Sequence, residues 1–204
     1  QQPVCGNENI ENGEQCDPPS STAPSPADEY FCDQNCNLVP IYHSLDGCPD
    51  NETLEFIQSY QIHSTSTTGV IIPVNGSDTY KFEVNGTFYP TQDGNNQNFK
   101  SDAAYTTEDG WISTSTKNGI YGIPPDLGAH ALLSNFGEKM GIVNWGQYKS
   151  DHNYSFYFAP ISTSTEFVIG DRYDDWFDTP WHNQGGMSDN EGSLTLDVYK
   201  CEPN

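Results

Sequence analysis

The sequence predicts an all-β fold built as a two-sheet sandwich, and three observations carry that expectation. The first is composition: 204 residues include 18 Gly and 14 Pro, and 13% are aromatic, a supply of turns and flat rings that suits short strands better than long helices. The second is alternation. Tyr80, Phe82 and Val84 alternate with Lys81 and Glu83; Tyr154, Phe156 and Phe158 alternate with Ser155; Leu194, Leu196 and Val198 alternate with Thr195 and Asp197. A period of two puts one face of a strand in a core and the other in water. The third is punctuation, since Val-Asn-Gly, Asp93-Gly94, Asp109-Gly110 and Gly185-Gly186 recur between the alternating runs, as they do between the strands of a sandwich. No helix beyond a turn or two and no internal repeat is expected.

Charge narrows the classes of partner. With 29 Asp and Glu against 7 Lys and Arg the formal net charge is -22, and such a surface repels a polyanion, so nucleic acid is not an expected partner. No stretch reaches the roughly 20 apolar residues that cross a bilayer, so no membrane insertion is expected. The opening Gln-Gln-Pro-Val-Cys-Gly-Asn lacks the basic start and apolar run of a secretory signal, which reads as a soluble chain that has already been processed.

Cys5, Cys16, Cys32, Cys36, Cys48 and Cys201 form an even set crowded into the first quarter, with one outlier near the end. Zinc needs clustered thiolate and imidazole spacings; only Cys32 and Cys36 come near one, and His43, His63, His130, His152 and His182 are scattered. Disulfides are therefore expected. We expect two bridges among the first four cysteines and a third from Cys48 to Cys201, stapling the two ends of the main domain. That chemistry places the chain in an oxidising setting, secreted or at the cell surface. Asn51, Asn75, Asn85 and Asn153 each begin an Asn-X-Ser/Thr triplet, so a glycoprotein is expected in a eukaryotic secretory pathway.

Two regions follow. Residues 1–48 hold all but one of the cysteines and a Pro/Ser-rich loop from Asp17 to Glu29 that suits neither helix nor central strand. Residues 49–204 carry the alternating strands. Within the first region, Cys5-Gly6-Asn7, then Gly13-Glu14 with Cys16-Asp17, and finally Cys32 and Cys36 resemble a cysteine-rich repeat of surface proteins of myxobacteria and protists. The loop after Asp17 departs from that repeat's Asp-Gly-Asn run. The resemblance implies an extracellular spacer or interaction module.

The most informative chemistry lies between Ile169 and Ser193. A strand ending at Gly170-Asp171 opens a long polar loop, and the loop closes on Ser188-Asp189-Asn190-Glu191-Gly192-Ser193. Oxygen donors at both mouths of one loop can converge on a hard cation, and Ca2+ accepts roughly six to eight oxygens at about 2.3–2.6 Å from carboxylates, amides and carbonyls. No EF-hand spacing is present.

This block resembles the LecA-type family of calcium-dependent, galactose-binding bacterial lectins. Further elements of the resemblance, in order, are Val84-Asn85-Gly86-Thr87-Phe88-Tyr89, then Asp109-Gly110-Trp111, the run Pro125-Asp126-Leu127-Gly128-Ala129-His130 through Phe136-Gly137, and the strand Tyr154–Phe158. It spans residues 80–200 and implies a jelly-roll or galactose-binding-like β-sandwich. It also implies Ca2+ ligation by the side chains of Asp171, Asp189 and Asn190, completed by a backbone carbonyl near Thr114. Vicinal sugar hydroxyls would then replace water on the ion, with Asp126 and His130 near the sugar-contacting loop. The chain departs from the family by a long insertion holding Tyr173, Asp174, Asp175, Trp176, Phe177, Asp178, Trp181 and His182. We name Asp175, Trp176, Trp181 and His182 as candidate ligand contacts. Trp176 or Trp181 could stack on a pyranose or anchor the loop in the core. Asp174, Asp175 and Asp178 could hold a second ion or only solvate the loop.

Asp and Asn also favour turns for reasons unrelated to metals, and a cation that pins two loops stabilises a fold whether or not a sugar reaches it. An enzyme is not expected: no nucleophile elbow, zinc-protease helix or phosphate loop occurs, and Glu108, Asp109, Asp174 and Asp175 give no placed carboxylate pair. The expected function is non-catalytic, calcium-assisted carbohydrate binding. The competing one is a structural or adhesive subunit of a surface layer or filament, self-associating around a structural calcium.

Overall fold

The computed structural model describes residues 30–32, 38–66, 68–89, 100–104, 106–107, 132–135, 140–143, 145–146, 148–169 and 191–204. These residues form strands and no helix: β1 (Tyr30–Cys32), β2 (Leu38–Tyr42), β3 (Glu52–His63), β4 (Val70–Pro73), β5 (Tyr80–Asn85), β6 (Phe88–Tyr89), β7 (Lys100–Ser101), β8 (Thr106–Thr107), β9 (Leu132–Asn135), β10 (Met140–Val143), β11 (Asn153–Phe158), β12 (Ser164–Ile169) and β13 (Glu191–Pro203). The all-β expectation holds. One sheet runs β1-β2-β10-β9-β12-β4; the other runs β11-β5-β13-β6-β7-β8, with β3 on the flank of β13. Pairing is antiparallel except between β2 and β10. Residues 30–42, grouped by sequence with the N-terminal region, thus supply two strands to the first sheet.

The alternation read from the sequence is the alternation of burial. Tyr80, Phe82 and Val84 of β5, Tyr154 and Phe156 of β11, and Leu194, Leu196 and Val198 of β13 all point into the core, while Lys81, Glu83, Thr195 and Asp197 between them stay partly wet. The cross-strand row Phe156–Phe82–Val198 faces Phe167 of the opposing sheet, whose ring centroid lies 5.1 Å from that of Phe82. Burial of this aromatic layer is the main favourable term holding the sheets together, at roughly 25 cal/mol per Å² of apolar surface removed from water.

The sandwich has two different ends. At one, Cys48 bonds Cys201 with Cα atoms 5.6 Å apart, as expected from sequence; Cys201 is buried, its N–H donates to the Thr79 carbonyl, and the N–H of Asn204 donates to the carbonyl of Asn51. At the other end β13 begins. Gly192 there sits at φ +102° with the Phe88 Cα 3.2 Å from where a Cβ would stand, so a side chain at this position meets both backbone strain and a clash.

Ion pairs on the outer surface give a pH response. Lys200 holds Asp78 at 3.0 Å and Glu202 at 2.6 Å, and Lys81 holds Glu83. Hydrogen bonding to these ammonium groups lowers the Asp78 and Glu83 carboxyls below their ordinary values of 3.8 and 4.5. A carboxyl lowered in the folded state stabilises it above its unfolded pKa, and that contribution is lost as pH falls through the folded value. Both pairs are partly exposed, so the effect is small. Urea unfolding between about pH 6 and about pH 3 is expected to show stability falling, with a shallower fall in Glu83→Gln.

Candidate functional site

The strand directions gather the long connections at one end of the sandwich. β13 opens at Glu191 against Tyr89, and β12 closes at Ile169 against Leu132, where β9 opens. The short link from His63 to Val70 ties these two places together, because His63 pairs with Ser193 and Val70 with Phe167. The Ser64 N–H and hydroxyl both donate to the Gly192 carbonyl, at 3.1 and 2.9 Å. Strands β6, β8 and β12 therefore all run toward this end, and β7, β9 and β13 all run away from it. The segments 90–99, 108–131 and 170–190 each leave and re-enter there.

The described side chains at this end centre on a buried carboxylate. Asp102 has no exposed side-chain surface; its Oδ1 accepts the Ala104 N–H at 2.8 Å, and its Oδ2 accepts the Tyr154 hydroxyl at 2.8 Å and meets His152 Nδ1 at 2.9 Å. The Tyr154 oxygen accepts the Lys149 N–H at 3.3 Å. His152 is held at φ 53°, in the left-handed region that costs a non-glycine residue free energy unless neighbours fix it. Here the Lys149 carbonyl accepts the His152 N–H at 3.0 Å, and Asp102 fixes the ring. The nearby Tyr148 phenol is pushed up by burial and by the charge of Asp102. This network braces the residues after β7 against the connection from β10 to β11 and the start of β11.

Every metal and ligand candidate named from sequence falls on two of those segments and outside the described residues. Thr114, Asp126 and His130 belong to 108–131; Asp171, Asp175, Trp176, Trp181, His182, Asp189 and Asn190 belong to 170–190. The described strands bring the anchors of these segments together: Leu132, two positions after His130, pairs with Ile169, two positions before Asp171. Glu191 follows Asn190 directly. Among the described residues no three His, Cys, Asp or Glu side chains cluster in a way that could hold a metal ion. Of the sequon asparagines, Asn51 and Asn75 are exposed, whereas Asn85 and Asn153 pair across β5 and β11, and the Asn153 amide donates to Glu83 at 3.2 Å. Cys5, Cys16 and Cys36 lie outside the described residues, and Cys32 is described only as part of β1.

Sequence reading does not single out Asp102, places Tyr154 only as a strand residue of the alternating pattern, and sees in His152 only a scattered histidine. The network joins positions 50 and 52 residues apart, and nothing in the local text marks them. The one available signal is an aspartate followed by two alanines, Asp102-Ala103-Ala104, all buried.

No family model matches the chain, and no curated protein matches it. Among solved structures it is similar to a chain described as an EclA N-terminal domain, a PllA-like lectin, at 13% identity and a TM-score of 0.37, over 71% of this chain and 97% of that one. A likeness of that size says nothing by itself about a binding site.

Proposed function

We propose that the protein is a non-catalytic carbohydrate-binding protein of the secreted or cell-surface type, with its site at the end of the sandwich where segments 108–131 and 170–190 leave and return. The supporting observation is topological. Positions that the sequence resemblance assigns to one calcium and sugar site lie up to 76 residues apart along the chain, from Thr114 to Asn190, yet the segments bearing them are anchored on paired strands at a single end. In this reading Asp171, Asp189 and Asn190 supply side-chain oxygens to Ca2+, and the carbonyl near Thr114 adds one more. The chain's acidic surface raises the local concentration of cations. Asp126 and His130 flank the sugar, and Asp175, Trp176, Trp181 and His182 in the insertion border it. One such site binds a monosaccharide at about millimolar to micromolar Kd, about -4 to -8 kcal/mol. Useful adhesion then comes from several copies acting together.

The test at the level of residues is Asp171→Ala. Ca2+ is expected to raise the melting temperature of the parent protein and not of the variant, and the variant is expected to lose any sugar binding. An unchanged calcium response in Asp171→Ala removes this residue from the site.

A further inference from the structure

Among the described residues strand β3 is an open edge with unusual properties. It is 12 residues long and pairs only with β13 among the described residues. From Thr53 to Ser59 every residue is exposed, so this half of the strand lies beyond the cover of the opposing sheet. It displays Leu54, Phe56 and Ile57 at 41%, 53% and 48% exposure. The register slips between Val198 and Tyr199, leaving Ile57 as the extra residue of a bulge.

Sheet edges invite unwanted pairing, and proteins guard them with brevity, proline, lysine or a covering segment. The other edges here are guarded in those ways. β4 has four residues and ends in Pro73, and β8 has two. The edge of β11 is covered by residues 44 and 45, where the Leu45 N–H donates to the Tyr157 carbonyl at 2.8 Å and the Tyr157 N–H to Ser44 Oγ at 2.9 Å. β3 has no lysine, arginine or proline. The bond from the Ser64 N–H to Gly192 fixes which backbone groups face β13. By antiparallel alternation the N–H and C=O of Ser59 and Gln61 and the N–H of His63 point outward, while the His63 carbonyl accepts the Ser66 N–H at 3.1 Å.

Charge decides what fits. β3 carries Glu52 and Glu55 on a chain of net charge -22. The lysines described on the adjoining strands are occupied, Lys81 by Glu83 and Lys200 by Asp78 and Glu202. A second copy would bring glutamates to glutamates. We propose that the β3 edge is a docking site for an extended polypeptide in which basic and apolar residues alternate, added to the sheet as a further strand. Its backbone pairs with the outward groups of Ser59 and Gln61 and with the His63 N–H, its apolar side chains cover Leu54, Phe56 and Ile57, and its cations meet Glu52 and Glu55. This site uses none of the residues proposed for the carbohydrate site and runs along the β3 flank, its His63 end reaching the end of the sandwich where that site is proposed.

The test uses a fluorescent synthetic peptide of alternating lysine and valine, titrated by anisotropy into the whole protein. Ile57→Lys installs the missing guard at an exposed position. Leu45→Lys adds the same charge beside β11, at the opposite edge of the same sheet. The expected result is binding weakened about tenfold or more by Ile57→Lys, unchanged by Leu45→Lys, and lost when alternate peptide nitrogens are methylated along the pairing edge. Equal weakening by both lysines, or full binding of the methylated peptide, overturns the proposal in favour of diffuse charge attraction. Sedimentation that shows the protein self-associating through this edge, with Ile57→Lys monomeric, overturns it in favour of a second copy.

Discussion

Replacing Cys48 and Cys201 together by alanine is expected to lower the unfolding free energy by about 2 to 5 kcal/mol. The bridge joins positions 153 residues apart in a chain of 204, so it removes loop-closure entropy from most of the chain in the unfolded state; the chain-entropy relation puts the upper end near 5 kcal/mol. It also sits where the buried Cys201 enters the core, so part of the loss is contact. Urea unfolding of the double variant, and of the parent with and without reductant, measures it. A double variant as stable as the parent would mean that the pairing of β3 with β13, which runs from His63 against Ser193 to Glu52 against Pro203, holds this end alone.

The second large effect is at Asp102. In Asp102→Ala the Tyr154 hydroxyl, the Ala104 N–H and His152 Nδ1 lose the acceptor they share. Tyr154 and Ala104 are buried, and stranding buried partners is expected to cost about 3 kcal/mol. Asp102→Asn is a sharper probe because its single carbonyl oxygen replaces two acceptor oxygens, so its amide group faces a donor. It is expected to recover only part of the loss. Parent-like stability in Asp102→Asn would show that one acceptor oxygen suffices.

The parts of the fold legible in the sequence are those where one side chain in two meets the core. Residues 80–85, 153–158 and 191–200 show that period, and β5, β11 and β13 follow it. The Cys48–Cys201 bridge is legible because those cysteines flank the alternating region. β3 is hidden for a physical reason: its text, Thr53-Leu54-Glu55-Phe56-Ile57-Gln58-Ser59, has no clean period because both faces of that half are wet and a bulge interrupts it. The parallel pairing of β2 with β10, across about 100 residues of chain, leaves no local mark either. At the candidate site, side chains suited to a hard cation are visible as text, but the strands that anchor their segments are far apart in sequence, and pattern reading does not join them.

The central claim, a calcium-dependent sugar site at the loop-bearing end, is tested most directly by calorimetric titration of the intact protein with galactose and other monosaccharides, in Ca2+ and again after chelation with EGTA. The account predicts heat of binding for at least one sugar in Ca2+ and none after chelation. A melting temperature raised by Ca2+ with no sugar bound would contradict it and make the ion structural, which favours a building-block role in an extracellular assembly.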